Sequence, residues 1–115
     1  MATDLENNEK LQRFIELLAT LNQQIVQVLK TGDASLLVQM NDVVEEMHEI
    51  QSKGTEDAYT AIEDQMQIIC QNFNAVVLIV KSDGELDEGS AVAVKNFLRN
   101  MFEATVQIVY AYGLA

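Results

Sequence analysis

Apolar residues in this chain recur in alternating steps of three and four, in four runs that no proline interrupts. Such spacing puts the apolar side chains on one face of an α-helix, whereas a half-buried strand needs a spacing of two. The first run is Leu11, Phe14, Leu18, Leu21, Ile25 and Val28, and the second is Leu36, Met40, Val43, Met47 and Ile50. The pattern therefore predicts long helices and disfavours a β-rich fold.

The length of the chain and the short connections between the runs predict the overall arrangement. With 115 residues, 49% of them apolar, the chain has the usual size of one domain, residues 1–115. The predicted helices cover roughly residues 4–30, 34–52, 56–81 and 87–112. Because the connections are short, neighbouring helices should run antiparallel. We therefore expect an all-α fold, an antiparallel four-helix bundle built from two helical hairpins with heptad-like seams.

Residue types at the connections indicate where the helices begin and end. Gly32 stands two residues after Lys30 and Gly54 directly after Lys53, and a glycine there tolerates the left-handed backbone that ends many helices. Asp33, Thr55 and Asp87 are the candidate caps of the second, third and fourth helices.

The charge of the chain limits the partners that it can bind. Eighteen acidic residues against seven basic ones give a net charge of -11, which repels nucleic acid phosphates and anionic lipid headgroups. The longest apolar run, residues 75–80, is too short to span a bilayer, and residues 1–10 lack the features of a secretory signal. The single Cys70 predicts a packing role and a reducing, cytoplasmic setting.

Acidic residues are concentrated in the 42–64 region around the second connection. They are Asp42, Glu45, Glu46, Glu49, Glu56, Asp57, Glu63 and Asp64. The commoner meaning of such a region is a solvated face that keeps the protein in solution. The alternative is a docking site for a basic segment of a partner protein.

Two segments, residues 75–80 and 105–112, are apolar on nearly every side of a helix. A surface helix normally keeps a polar face, so another surface should cover these segments. A partner helix or a second copy of the chain, in a homodimer or higher oligomer, is the preferred explanation. A helix wrapped more completely by its own chain, or a local strand, is the alternative. The candidate protein-interaction residues are Val76, Val77, Leu78, Ile79, Val80, Val106, Val109, Tyr110 and Tyr112.

The spacing of candidate ligands and nucleophiles does not fit known catalytic or metal sites. Glu45 and His48 form one ExxH step, whereas di-iron carboxylate bundles need two, and the chain has one histidine. Ser52 stands where a zinc protease motif beginning at His48 would need its second histidine. We therefore predict no catalytic residue, no metal, no cofactor and no enzymatic activity.

The size and helical pattern of the chain resemble histidine-phosphotransfer domains, which carry one functional histidine on an exposed helix face. That resemblance would make His48 the phosphoryl acceptor. In that family a lysine and a glycine follow the histidine at the third and fourth positions, but Lys53 and Gly54 follow His48 at the fifth and sixth. The neighbouring acids Glu45 and Glu49 would repel a phosphoryl group on His48. Phosphotransfer by His48 is therefore only an alternative function.

In general character the chain is similar to small cytoplasmic chaperones and adaptors of bacterial secretion and flagellar systems. It shares their acidity, their helical composition and several methionines, five in this chain. The likeness implies a non-enzymatic module that holds the amphipathic helix of a client protein in a groove. A self-associating structural protein is the competing hypothesis.

Overall fold

The described part of the chain is helical and contains no strand. The structure, a computed structural model, describes residues 4–32, 35–54, 57–83 and 88–113, with the side chains of residues 4–8 and 82–83 outside that description. Within these ranges the helices are α1 (Asp4–Thr31), α2 (Leu36–Lys53), α3 (Asp57–Thr60), α4 (Glu63–Asp83) and α5 (Glu88–Ala111). The prediction of an all-α fold is confirmed. The predicted caps Asp33, Thr55 and Asp87 lie outside the described residues.

Each long helix packs against two of the other long helices. Helix α1 contacts α2 and α5, and α4 contacts the same two helices, while the short α3 packs against α2. Between α1 and α5, Asn22 Nδ2 donates to Thr105 Oγ1 at 3.0 Å, and Phe14 packs edge-on against Tyr112. The Asn22 to Thr105 bond lies in a partly buried place, where a polar pair needs such a partner.

One apolar core runs through the molecule, and each long helix contributes a stripe to it. The stripes meet in a single cluster that includes Phe14, Leu18, Leu21 and Ile25 of α1, Leu37, Met40, Val44 and Met47 of α2, Met66, Ile69, Phe73 and Val76 of α4, and Val94, Leu98, Met101 and Ile108 of α5. Full burial of one such large side chain stabilises the fold by roughly 1.5–3 kcal/mol, so this cluster is the main source of stability.

The buried face of α2 differs from the predicted seam at three of its five positions, where the next residue along the chain is buried instead. Three predicted members, Leu36, Val43 and Ile50, are only half-buried, and the next residues, Leu37, Val44 and Gln51, are buried instead. Helix α2 packs against both α1 and α4, so its core face lies between those neighbours. The predicted seam residue Ile50 lies to one side, next to Arg13 of α1.

The glycine stop signals have two different physical causes. Gly32 and Gly113 have φ values of 70° and 68°, the left-handed backbone that favours glycine. Gly54 does not: its φ of -77° and ψ of 139° are extended, so the left-handed prediction at this position is wrong. A Cβ at Gly54 would overlap the ring of Tyr59, so the close approach of that ring is what requires glycine.

The third predicted helix, roughly 56–81, is divided into α3 and α4. At the break, Ile62 N donates to Tyr59 O at 3.3 Å, one residue short of the α-helical partner Ala58. The Ala58 carbonyl instead accepts a hydrogen bond of 3.0 Å from the Tyr112 hydroxyl. Tyr112, directly after α5, therefore takes the carbonyl that an uninterrupted helix would use.

Candidate functional site

An apolar depression opens between the start of α2 and the end of α4. Its volume is about 380 Å³, and it is lined by Leu37, Val38, Asn41 and Asp42 of α2 and Val77, Val80 and Lys81 of α4. Val38 is 73% exposed, although a valine on a well-covered helix would be buried. Val77 and Val80 are half-buried below it. Apolar side chains are therefore presented to solvent in a concave surface.

The local sequence explains why Val38 is exposed. Leu36, Leu37 and Val38 are consecutive apolar residues, and a helix turns about 100° per residue, so they cannot all face the core. Leu37 takes the core position and is 7% exposed, which turns Val38 toward α4. On α4, Val76 occupies the core, and Val77 lies to its side in the depression.

A second, polar depression lies farther along the same two helices. It has a volume of about 310 Å³ and is lined by His48, Gln51, Ser52, Gly54, Thr60, Glu63, Gln67, Cys70 and Gln71. Gln51, which is buried, donates from Nε2 to Tyr59 O at 3.4 Å. Burial raises the pKa of the Cys70 thiol, so the thiol stays protonated near neutral pH and is a weak nucleophile. We call the two depressions together the α2–α4 groove.

Three carboxylates lie along the α2–α4 groove. Asp42 lines the apolar depression and Glu63 lines the polar one. Glu45 is exposed, seven residues after Val38 and three before His48, so it lies on the same stripe of α2 between the two depressions. Among the described residues, none of these three carboxylates forms an ion pair. Lys81 lines the apolar depression together with Asp42, so the groove as described carries three carboxylates and one lysine and is acidic on balance.

Two neighbouring glutamates are partnered by basic residues. Glu46 faces α1, where Arg13 Nε donates to its Oε2 at 2.6 Å and Arg13 Nη2 to its Oε1 at 3.1 Å. The hydrogen bond from Arg13 lowers the pKa of Glu46. Lys53 Nζ donates to Glu49 Oε1 at 2.7 Å, and this hydrogen bond lowers the pKa of Glu49. These pairs distinguish Glu46 and Glu49 from the carboxylates of the groove.

The predicted interaction residues differ in burial. Val76 is fully buried in the core, while Leu78 and Tyr110 are exposed by 65% and 66%. The remaining six are half-buried: Val77, Ile79, Val80, Val106, Val109 and Tyr112. Much of the surface predicted to need a partner is thus covered by the chain itself.

The structure does not bring the two predicted segments together. Tyr112 reaches Ala58, just before α4, so residues 106–112 lie beside the start of α4. Farther along, Asn72 Oδ1 accepts from Asn100 Nδ2 at 3.1 Å. Residues 76–80 lie at the other end of α4, beyond this contact. Of the predicted set, Val77 and Val80 line the groove.

The α2 wall of the groove was not predicted from the sequence. Leu37, Val38 and Asn41 were not predicted as interaction residues, and Asp42 was considered only as part of an acidic region. The signal that could have identified the wall is the run of three apolar residues from Leu36, since one of them must lie off the seam.

Among the described residues, no three His, Cys, Asp or Glu side chains are grouped to hold a metal ion. The described helices include none with the length and apolar character needed to cross a bilayer. The chain matches no protein-family model, curated protein or solved structure.

Proposed function

We propose that the chain is a non-enzymatic protein-interaction module, an adaptor or small chaperone that binds an amphipathic helix of a partner protein in the α2–α4 groove. In this proposal the long helices form an antiparallel four-helix bundle from two hairpins, α1 with α2 and α4 with α5. The observation that carries the proposal is the apolar depression with the exposed Val38 at its wall.

Contacts between the helices support the bundle. Asn22 contacts Thr105 while Phe14 contacts Tyr112, so residue numbers fall along α5 as they rise along α1. The α2–α4 groove also shows antiparallel neighbours. Residues 37–42 of α2 lie opposite residues 77–81 of α4, and residues 48–54 lie opposite the earlier residues 60–71. In an up-and-down bundle, neighbouring helices run in opposite directions.

The chemistry of the groove suits a helix as the bound element. A groove between two helices accepts the ridge of a third, with apolar anchors spaced at three and four residues. Burying one valine side chain contributes roughly 1.5–3 kcal/mol, and Val38, Val77 and Val80 are only partly covered. Part of this free energy offsets the entropy that the partner loses when it becomes ordered, so binding should be reversible.

The polar groups of the groove favour binding over catalysis. His48 and Cys70 both line the polar depression. Burial keeps the Cys70 thiol protonated, and Lys53 is hydrogen-bonded to Glu49. These features are in line with the sequence prediction of no catalytic or metal-binding residue. The single Cys70 supports the proposal of a reducing, cytoplasmic setting.

Fluorescence anisotropy with a neutral helical peptide tests the proposed function. The probe is a fluorescein-labelled peptide of about 16 residues, with leucines on one face and alanine and glutamine elsewhere. We expect saturable binding by the wild type and about tenfold weaker binding by Val38→Glu, because a carboxylate then enters the apolar depression.

Val92→Glu is the matched control for this experiment. Val92 is 54% exposed on α5 and does not line the groove, and the substitution makes the same change of charge. We expect Val92→Glu to bind like the wild type. Equal losses in the two variants, or no binding by the wild type, would contradict the proposal.

Self-association is the second candidate function, favoured by apolar side chains exposed outside the lining of the groove. Leu78 and Val92 are both exposed and lie on α4 and α5, which pack together. Light scattering over a concentration series on wild type and Leu78→Glu separates the two functions. A wild-type oligomer that the substitution converts to a folded monomer supports self-association, whereas a wild-type monomer at all concentrations excludes it.

A further inference from the structure

We propose that the helix bound in the α2–α4 groove is basic, with lysine or arginine side chains placed over Asp42, Glu45 and Glu63 and apolar side chains placed over Val38, Val77 and Val80. This inference rests on the proposed function and adds the chemistry of the partner.

The carboxylates along the groove differ from their neighbours in having no basic partner in the described part of the chain. Asp42, Glu45 and Glu63 have no ion pair among the described residues, whereas Glu46 and Glu49 are each held by a basic side chain. An uncompensated carboxylate beside an apolar surface attracts a cation more strongly when a bound partner excludes water. Lys81 lines the Val38 end of the groove, whereas no lysine or arginine is among the described residues that line the polar depression with Glu63. The groove is therefore complementary to a helix that carries positive charge next to its apolar face, most strongly toward Glu45 and Glu63.

The positions of the two depressions define the length of that helix and where its apolar and basic side chains lie. Val38 and Ser52 line opposite ends of the α2 wall, which are about 21 Å apart at 1.5 Å per residue. A partner helix of about 14 residues would cover this distance. Its strongest apolar anchors would lie at the Val38 end, and cations would follow toward Glu63.

A second copy of the chain fits this groove poorly. Two copies joined through the groove would bring Asp42, Glu45 and Glu63 of each copy toward the same carboxylates of the other. Each copy already carries a net charge of -11, so the contact would add repulsion to molecules that repel each other at long range. The charge of the groove thus favours a basic partner of different sequence.

A set of three peptides tests the inference. Each has about 16 residues and the same leucine positions, and the remaining exposed positions are lysine, glutamate or glutamine. By anisotropy at about 0.1 M salt, we expect the lysine peptide to bind at least about tenfold more tightly than the glutamate peptide. We expect this difference to shrink as the salt concentration rises, with the glutamine peptide between the two.

Matched charge-reversal variants separate recognition in the groove from general attraction to an acidic protein. The first combines Asp42→Lys with Glu45→Lys, and the second combines Glu88→Lys with Glu103→Lys on α5. Each changes the net charge from -11 to -7, since every substitution adds two positive charges. We expect the first variant to bind the lysine peptide about tenfold more weakly and the second to bind it nearly as the wild type does.

The outcomes distinguish this inference from the proposed function. Equal effects of the two double variants, or equal binding of the lysine and glutamate peptides, overturn the inference. The proposed function still stands in that case if the glutamine peptide binds and Val38→Glu weakens it. If none of the peptides binds the wild type, both are overturned. Circular dichroism checks that each variant is folded, and Asp42→Asn with Glu45→Gln provides a milder pair, with an expected loss of about threefold.

Discussion

At the scale of single residues, Gly54 is required by a neighbouring side chain and not by its own backbone angles. Its φ of -77° is open to any residue. The obstacle to a larger residue is the Tyr59 ring, which is buried and packs edge-on against Phe14 at a centroid distance of 6.3 Å. Because the ring is held by this packing, it cannot move aside without cost.

We expect Gly54→Ala to lower the free energy of unfolding by roughly 1–3 kcal/mol, since the added methyl group overlaps the Tyr59 ring. Urea denaturation followed by circular dichroism measures this loss. The control is a double-mutant cycle with Tyr59→Leu, in which the alanine should cost less because the ring is gone. An equal cost in both backgrounds would show that the ring is not the cause.

The two glycines at residues 32 and 54 show the limit of local signals. Both stand in a short connection shortly after a lysine, and the same left-handed stop was predicted for both. The prediction is confirmed at Gly32 and wrong at Gly54. The difference lies in the position of a side chain five residues farther along, which depends on how the core packs and not on the residue type.

At the scale of the helices, one long-range hydrogen bond lies where α3 ends. Apolar spacing continues without change through Tyr59, Ile62 and Met66, so the sequence around the break predicts a continuous helix. The break occurs where Tyr112, 54 positions farther along, donates to the Ala58 carbonyl. Helix periodicity is a local property and cannot register such a competitor.

We expect Tyr112→Phe to lower the free energy of unfolding by about 1 kcal/mol at neutral pH, the usual net value of one hydrogen bond. Burial, with a smaller effect of Tyr59, raises the pKa of Tyr112 in the folded state. The folded protein therefore favours the neutral phenol, and this stabilisation is complete below the unfolded pKa of about 10 and declines as the pH rises above it.

Urea denaturation of wild type and Tyr112→Phe at several pH values between about 8 and 11 tests this expectation. The advantage of the wild type should decrease above pH ~10, because the unfolded tyrosine ionises there while the phenylalanine cannot. Two stability curves that stay parallel over this range would contradict the raised pKa. Far-ultraviolet circular dichroism at each pH confirms that both proteins start folded.

The helices themselves could be predicted from the sequence, but the site only in part. Steps of three and four predicted the four long helical regions, because any packed helix must bury one face. The groove depends on which of Leu36, Leu37 and Val38 turns inward, and that is decided by the two helices that α2 contacts. The predicted interaction set therefore included Val77 and Val80 but missed the opposite wall.

At the scale of the whole molecule, like charges are packed into a narrow volume. The described part of the chain measures 50 × 25 × 20 Å, and the chain carries a net charge of -11. Screening lengths in dilute salt are comparable with the narrow dimensions, so carboxylates on different helices repel one another. This repulsion opposes the compact state.

We expect the melting temperature to rise by about 2–5 °C between ~10 mM and ~300 mM sodium chloride, as salt screens this repulsion. The variant with Asp42→Lys and Glu45→Lys carries less negative charge and should show a smaller rise. Thermal unfolding followed by circular dichroism measures both proteins. A melting temperature that stays constant or falls with added salt would mean that ion pairs such as Arg13 with Glu46 outweigh the repulsion.

The contact between Phe14 and Tyr112 has a consequence for the order in which the protein acquires its structure during synthesis. Phe14 lies in α1 and Tyr112 directly follows α5, and their ring centroids are 6.2 Å apart. A growing chain can pair α1 with α2 while α5 is still unmade, but this end of the molecule closes only after Tyr112 has been added. Until then the apolar faces of the earlier helices remain open to other molecules, so the synthesis of α5 is the step that closes the core.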